Sequence, residues 1–106
     1  MCFISASSSR HSANIGRDGR VACTIHAVSS RWRDIRGIQL EGTCARMTAL
    51  EEACAWSHYI ARFPFVISDS LLRAALDGVT IYRITPCWLR WIDNSIGLGH
   101  KVEYRV

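Results

Sequence analysis

The 106-residue sequence predicts an α+β domain built on an antiparallel sheet or a small barrel. A chain of this length forms one small domain and is expected to bury about two thirds of its surface on folding. Hydrophobic residues make up 49% of the chain and charged residues 21%, which is a globular composition and not a disordered one. Strand-like and helix-like segments follow one another in the order β-α-β-β-α-α-β-β-β, with turn signals between them.

The first half of the chain predicts three strands and one short helix. Residues 1–5 (MCFIS) resemble the end of a strand, and the serines after them supply N-cap side chains to a helix (SSRHSANI) that Gly16 stops. Asp18-Gly19 marks a turn. The β-branched run RVACTIHAV that follows predicts a second strand, and the alternation in IRGIQLEGTCARM predicts a half-buried third strand.

Two helices are predicted in the middle of the chain. Thr48 and Glu51 form a capping box, which opens the clearest helix of the sequence, TALEEACAWSHYIARF. This helix places six apolar side chains on one broad face and ends at Pro64. Ser68 or Asp69 is expected to cap a second helix, SLLRAALD.

The last third of the chain predicts three more strands. VTIYRIT and CWLRWID are expected to form two separate strands, because Pro86 lies between them and lacks a backbone N–H group. A glycine-containing loop, DNSIGLGH, then leads into a final short strand, KVEYRV. No internal repeat interrupts this order.

The basic residues of the chain indicate which kinds of ligand it could bind. The net charge is +4, and every basic residue except Lys101 is an arginine, which suits bidentate binding of phosphate or carboxylate. Several arginines lie loosely in the first third of the chain, with Asp18 and Asp34 among them. A nucleic-acid-binding module is therefore an alternative, but such modules usually cluster their charges, and no nucleic-acid partner is predicted.

Cysteine and histidine spacing gives no metal site. The five cysteines form no CxxC pair, and the four histidines show no ligand spacing. An odd number of cysteines is typical of a reduced, cytoplasmic protein with buried thiols. The apolar stretches are too short to cross a membrane, and the first nine residues lack the features of a signal peptide.

One local pattern predicts an anion site. In the segment SASSSRH (residues 5–11), a strand ends, hydroxyl groups gather, and a helix begins with a cation in its first turn. Free backbone N–H groups and the helix dipole favour an anion at such a place, and a bound phosphate would explain the cation. The alternative is a capped surface helix whose Arg10 and His11 are simply solvated.

Several motifs in the same order resemble one known family. FISASSSRHSANI, RVACTIHAV and IRGIQLEG are similar to the flavin-binding core of the pyridoxamine 5'-phosphate oxidase-like superfamily. A small bacterial branch of it also shares the motifs that appear here as IRGIQ (35–39), RFP (62–64) and DNSIGLGHK (93–101). The resemblance implies a split β-barrel, an antiparallel Greek-key barrel with flanking helices, and covers nearly the whole chain.

The resemblance also implies a function and a set of site residues. Members of the superfamily bind FMN at the interface of a homodimer, and many are oxidoreductases; the substrate here is unknown. The family's phosphate-binding residues fall on Ser5, Ser9, Arg10 and His11, where His11 replaces the usual lysine and makes that contact depend on pH. Gln39 is expected to replace a flavin-contacting glutamine of the family, whose position is occupied by Gly37. Lys101 lies near a further flavin-contacting segment.

The start of the chain departs from the family. Members begin with further strands, so the resemblance implies a single domain, residues 1–106, that is N-terminally truncated relative to them. Those strands contribute to the cofactor wall, and without them a sheet edge is unpaired unless a dimer partner covers it. The alternative function is thus a non-catalytic dimeric remnant of the fold, cofactor-free or binding another partner. Related barrels also bind deazaflavin or haem.

Overall fold

A computed structural model describes residues 1–106. By internal contacts the chain divides into two compact units. Unit 1 comprises Met1–Gly19 and Cys44–Arg83, and unit 2 comprises Arg20–Thr43 and Ile84–Val106. No helix is both long enough and apolar enough to cross a membrane.

Five strands form one antiparallel sheet, and four helices accompany it. The strands are β1 Cys2–Ala6, β2 Arg20–His26, β3 Arg36–Arg46, β4 Val79–Asp93 and β5 Lys101–Arg105. The helices are α1 Arg10–Arg17, α2 Ala49–Arg62, α3 Phe65–Ser68 and α4 Ser70–Leu76, with a 3-10 turn at Trp32–Asp34. The strand order is β1-β4-β3-β2, and β5 also pairs with β4. The predicted α+β class with an antiparallel sheet is therefore confirmed.

The predicted break at Thr85-Pro86 is wrong, because β4 runs without interruption for 15 residues. Proline holds φ near −65°, which an extended chain accepts at the loss of one N–H donor. Gly42 of β3 lies against this point: a Cβ atom there would be 2.2 Å from the carbonyl oxygen of Thr85 and 2.8 Å from Cα of Pro86. Since glycine has no side chain, the β4 backbone approaches β3 closely and the strand continues past the proline.

Unit 1 is built around the first part of β4. Strand β1 pairs antiparallel with it, from Cys2 opposite Arg83 to Ala6 opposite Val79. Ile81 and Tyr82 are 2% and 5% exposed, and Phe3 stacks on Tyr82 with ring centroids 5.3 Å apart.

The helices of unit 1 agree with the sequence prediction except at three points. The capping box of Thr48 and Glu51 is present at the start of α2, and Arg83 forms an ion pair with Glu51. No side chain of α2 is fully buried, and Leu50 is 84% exposed, so its apolar face is only partly covered. Pro64 ends α2 but also begins the short, unpredicted helix α3, and α1 continues through Gly16 to Arg17.

Unit 2 consists of two strand pairs. Strands β2 and β3 pair antiparallel from Arg20 opposite Thr43 to His26 opposite Gly37. The second part of β4 pairs antiparallel with β5, from Trp88 opposite Arg105 to Ile92 opposite Lys101. Side chains that are opposite each other in this register lie on the same face of the sheet. Trp88, Arg90 and Ile92 of β4 share one face with Lys101, Glu103 and Arg105 of β5.

Replacing Gly42 by alanine is expected to destabilise the protein by about 1–3 kcal/mol, because the new methyl group would collide with the backbone of β4. Urea unfolding of wild type and variant measures the difference. The control is Gly16→Ala: nothing lies within 4 Å of a Cβ at this helical position, so that variant should be neutral or slightly stabilised. Equal stability of Gly42→Ala and wild type would contradict the close approach.

Candidate functional site

Three serines and a histidine converge where β1 ends and α1 begins; we name them the serine cluster (Ser5, Ser9, His11 and Ser12). The hydroxyl oxygens of Ser5 and Ser9 are 3.3 Å apart, and Nε2 of His11 forms a short hydrogen bond with the Ser5 hydroxyl. Ser9 donates to Ser12 over 2.9 Å, and Ser12 donates to the carbonyl oxygen of Ala6 over 2.8 Å. The four side chains thus form one connected network.

Helix capping produces this convergence. Ser9 is the N-cap of α1, with extended backbone, and its Oγ accepts a hydrogen bond from the backbone N–H of Ser12 at 3.3 Å. Ser9 is one of three serines, with Ser7 and Ser8, that the sequence offers for this role. The three-residue spacing from N-cap to N3 then brings Ser12 back onto Ser9, while β1 supplies Ser5 from the other side.

The electrostatics at this helix start are unusual. The first turn of α1 contains no acidic residue, although acids are favoured there by the helix dipole. Arg10 and His11 occupy the turn instead, and the exposed Arg10 side chain forms no ion pair within the chain. Two basic side chains, a helix N-terminus and several hydroxyl groups together make a place that favours an anion.

Ser12 also lines a groove of about 490 Å³ in unit 1. Burial raises the pKa of the Cys44 thiol on its wall, so this cysteine is neutral and not an activated nucleophile. The other lining residues are Ser7, Ile15, Gly16, Gly19, Ala45, Arg46 and Tyr82.

A second polar centre lies in unit 2 around Gln39. Arg90 donates from Nη1 to Oε1 of Gln39 over 3.2 Å and from Nη2 to Glu103 over 2.7 Å. Its guanidinium group lies over the Trp88 ring, 4.9 Å from the centroid. Gln39, Trp88 and Arg90 line a groove of about 350 Å³ together with residues of β2 and β3, namely Ala22, Cys23, Thr24, Leu40 and Glu41.

The predicted site residues fall into two groups. Ser5, Ser9 and His11 are brought together in unit 1, and Arg10 is adjacent to them in the first turn of α1. Gln39 and Lys101 lie in unit 2. Lys101 is exposed on the β5 face that also carries Glu103, but it does not line the groove around Gln39.

Two residues of these centres were not predicted. Ser12 could have been recognised from its position three residues after the N-cap serine. Arg90 offered less of a signal: it alternates with apolar residues in CWLRWID, but its contact with Gln39 joins positions 51 apart in sequence.

The loop before Lys101 is held by a compact network around Asp93. The Asp93 carboxylate accepts hydrogen bonds from the Ser95 hydroxyl at 2.5 Å and the Ser95 backbone N–H at 2.9 Å, and from Nε of Arg36 at 3.2 Å. The Ser95 hydrogen bonds, together with the charge of Arg36, lower the pKa of Asp93 despite its burial. Asn94 adds a hydrogen bond to the carbonyl oxygen of Trp32 over 3.0 Å.

Comparison with known proteins finds bacterial relatives that are named UPF0306 proteins. No protein-family model matches the chain. A UPF0306 protein of Klebsiella pneumoniae is 28% identical over 103 residues, which cover 97% of this chain and 65% of that protein. A UPF0306 protein of Pasteurella multocida is 22% identical over 105 residues, covering 99% and 65%. The chain therefore spans slightly less than two thirds of the length of these relatives.

Two solved structures share the fold. A heme binding protein from Mycobacterium smegmatis aligns with a TM-score of 0.69 and 18% identity, covering 98% of this chain and 41% of that one. Protein Atu2129 from Agrobacterium tumefaciens, of unknown function, aligns with a TM-score of 0.71 and 23% identity, covering 88% and 39%. The predicted fold class, the split-barrel type, is confirmed by this likeness.

The Asp93 network predicts an acid-sensitive stability. Because the folded pKa of Asp93 lies below its unfolded value of about 3.9, the stabilisation is complete above that value and is lost as the pH falls through the folded pKa. Asp93→Asn is expected to lower the melting temperature at neutral pH and to flatten its decline in acid. Asp34→Asn is the control, since its partner Arg31 is 83% exposed and the pair contributes little. If the melting temperatures of wild type and Asp93→Asn decrease in parallel as the pH is lowered, this account is contradicted.

Proposed function

We propose that this protein is an FMN-binding flavoprotein of the pyridoxamine 5'-phosphate oxidase-like superfamily and an oxidoreductase whose substrate is unknown. One observation carries the proposal: the serine cluster lies at a helix N-terminus whose first turn holds Arg10 and His11 and no acid. This is the segment to which the resemblance assigns the FMN phosphate. The split-barrel fold is the fold that the resemblance implies.

The residues present fit a phosphate group. Ser5 and Ser9 supply hydroxyl donors, and Arg10 supplies a forked guanidinium that no carboxylate of the chain neutralises. His11 adds an imidazole whose Nε2 atom already bonds to the Ser5 hydroxyl group. A bound anion would also offset the unfavourable placement of two basic residues at the positive end of the helix dipole.

When bound, the flavin ring would carry the electrons, while the protein binds and orients it. In this proposal Ser5, Ser9, Arg10 and His11 of unit 1 hold the phosphate. The resemblance also implies ring contacts from Gln39 and Lys101 of unit 2, of which only Gln39 lines the groove described there. The hydroxyl groups of the serine cluster bond to one another in the structure, so phosphate binding requires Ser5 and Ser9 to redirect their protons.

Haem is the second candidate cofactor. The observation that favours it is the shared fold with a protein described as heme binding, at 18% identity. Titrating the purified protein separately with FMN and with haem, followed by absorbance, separates the two. Binding of haem and not of FMN would replace the flavin proposal, and binding of neither would favour the cofactor-free remnant.

We place the protein in the cytoplasm as a homodimer. All five cysteines are free, but the expectation of buried thiols holds only for Cys44, since Cys2, Cys54 and Cys87 are exposed. In unit 2 the register of β4 and β5 brings Trp91 opposite Val102 and Leu89 opposite Tyr104 on one face. Trp91 and Val102 are each 38% exposed and Tyr104 is 57% exposed, so this face offers apolar surface to a second copy.

Val102→Glu is expected to convert the dimer to a monomer, because it places a charge on that apolar face. Analytical ultracentrifugation at micromolar concentration measures the change in mass. Arg105→Glu, on the opposite face of β5, is the control and should leave the dimer intact. A wild-type protein that sediments as a monomer would contradict the proposed dimer.

Arg10→Ala is expected to weaken FMN binding by about 1.5–3 kcal/mol, which is the range for a hydrogen bond to a charged group. Quenching of flavin fluorescence gives the dissociation constant. Arg17→Ala, in the last turn of the same helix, removes an equal charge away from the serine cluster and should leave the affinity nearly unchanged. If the two variants lose the same affinity, general charge attraction and not a phosphate contact at Arg10 explains the binding.

A further inference from the structure

The groove around Gln39 contains a side-chain amide whose orientation is fixed by its neighbour. Arginine is only a donor, so the atom of Gln39 that lies 3.2 Å from Nη1 of Arg90 must be the carbonyl oxygen Oε1. The contact therefore determines which way the amide points. Nε2 is left as the donor of this amide, without a partner in the chain.

Arg90 is itself held from two further directions. Its Nε and Nη2 atoms lie 2.8 and 2.7 Å from Oε1 of Glu103, which is its cross-strand partner on β5. Its guanidinium plane is over the indole ring of Trp88. A side chain fixed by an ion pair, a ring and an amide oxygen has little rotamer freedom left to lose when a ligand arrives.

The composition of the groove indicates what it accepts. Register places Thr24 opposite Gln39 on β2 and β3, so both point to the same face of the strand pair. The groove is lined by polar and apolar side chains, with Trp88 as an aromatic wall and Gln39 Nε2 as a fixed donor. These features suit a planar ring that presents a hydrogen-bond acceptor at its edge.

We propose that Arg90 is a positioning residue: it locks the Gln39 amide so that Nε2 donates to the acceptor edge of a planar ring bound in the unit 2 groove. This inference rests on the proposed function, since the flavin ring is the ligand of that chemistry. It assigns a role to Arg90 that is separate from the phosphate contacts in unit 1.

The test uses riboflavin, which carries the ring without the phosphate, alongside FMN. Gln39→Glu retains an oxygen for Arg90 but removes the Nε2 donor, and it is expected to weaken riboflavin binding on the order of tenfold. Arg90→Met keeps the aliphatic stem but frees the amide to rotate, and is expected to weaken binding roughly three- to tenfold through that added freedom. Arg90→Lys, which can still donate to Oε1, should recover part of the loss.

A double-mutant cycle separates positioning from direct contact. If Arg90 acts through Gln39, then Arg90→Met has little further effect on riboflavin binding once Gln39 is replaced by methionine. Arg17→Met, which removes a charge from α1 in unit 1 and leaves the groove around Gln39 untouched, is the control and should leave riboflavin affinity within about twofold. Melting temperatures of all variants confirm that each has folded.

Failure of the positioning role can be distinguished from failure of the proposed function. If wild type binds riboflavin and FMN but Gln39→Glu and Arg90→Met bind them as tightly, the positioning role is wrong and the proposed function stands. The positioning role is also wrong if Arg90→Met reduces riboflavin affinity by the same factor in the wild-type protein and in the Gln39→Met variant. If wild type binds neither flavin, the proposed function fails, and the role of Arg90 fails with it.

Discussion

The passage of β4 across Gly42 is the constraint on which both candidate centres depend. A 15-residue strand containing a proline remains continuous because the facing residue of β3 has no side chain. The first part of β4 then pairs with β1, which carries Ser5, and the second part pairs with β5, which carries Glu103 and Lys101. The backbone partner of Ser5, which is Thr80, and the partner of Glu103, which is Arg90, therefore lie on one strand.

The helix start in unit 1 illustrates a conflict between local stability and function. Acidic residues at the first turn of α1 would stabilise the helix, yet Arg10 and His11 stand there, and the N-cap is made by Ser9 alone. The helix is eight residues long and has little intrinsic stability to spare. Locally unfavourable residues that the fold tolerates are typical of functional sites, and this agrees with the proposed role of the serine cluster.

Much of the fold could be predicted because its signals are local. The capping box at Thr48, the N-cap at Ser9 and the alternation in β3 are each encoded within a few residues. The Thr85-Pro86 break was wrong for the opposite reason: its outcome depends on Gly42, which is distant in sequence. The serine cluster could be predicted from one segment, whereas the contact of Arg90 with Gln39 joins two strands and has no local signature.

The two centres differ in how their donors are prepared for a ligand. In the serine cluster the hydroxyl groups satisfy one another, so in the proposed site they must reorient, and the attraction for phosphate comes mainly from the charge of Arg10 and the helix N-terminus. Such an attraction weakens as salt screens it. At Gln39 the amide is already oriented and Arg90 lies over the Trp88 ring, so the proposed ring binding would depend on shape and one neutral hydrogen bond. The affinity for FMN should therefore decrease with ionic strength more steeply than the affinity for riboflavin, because only the phosphate interacts through charge.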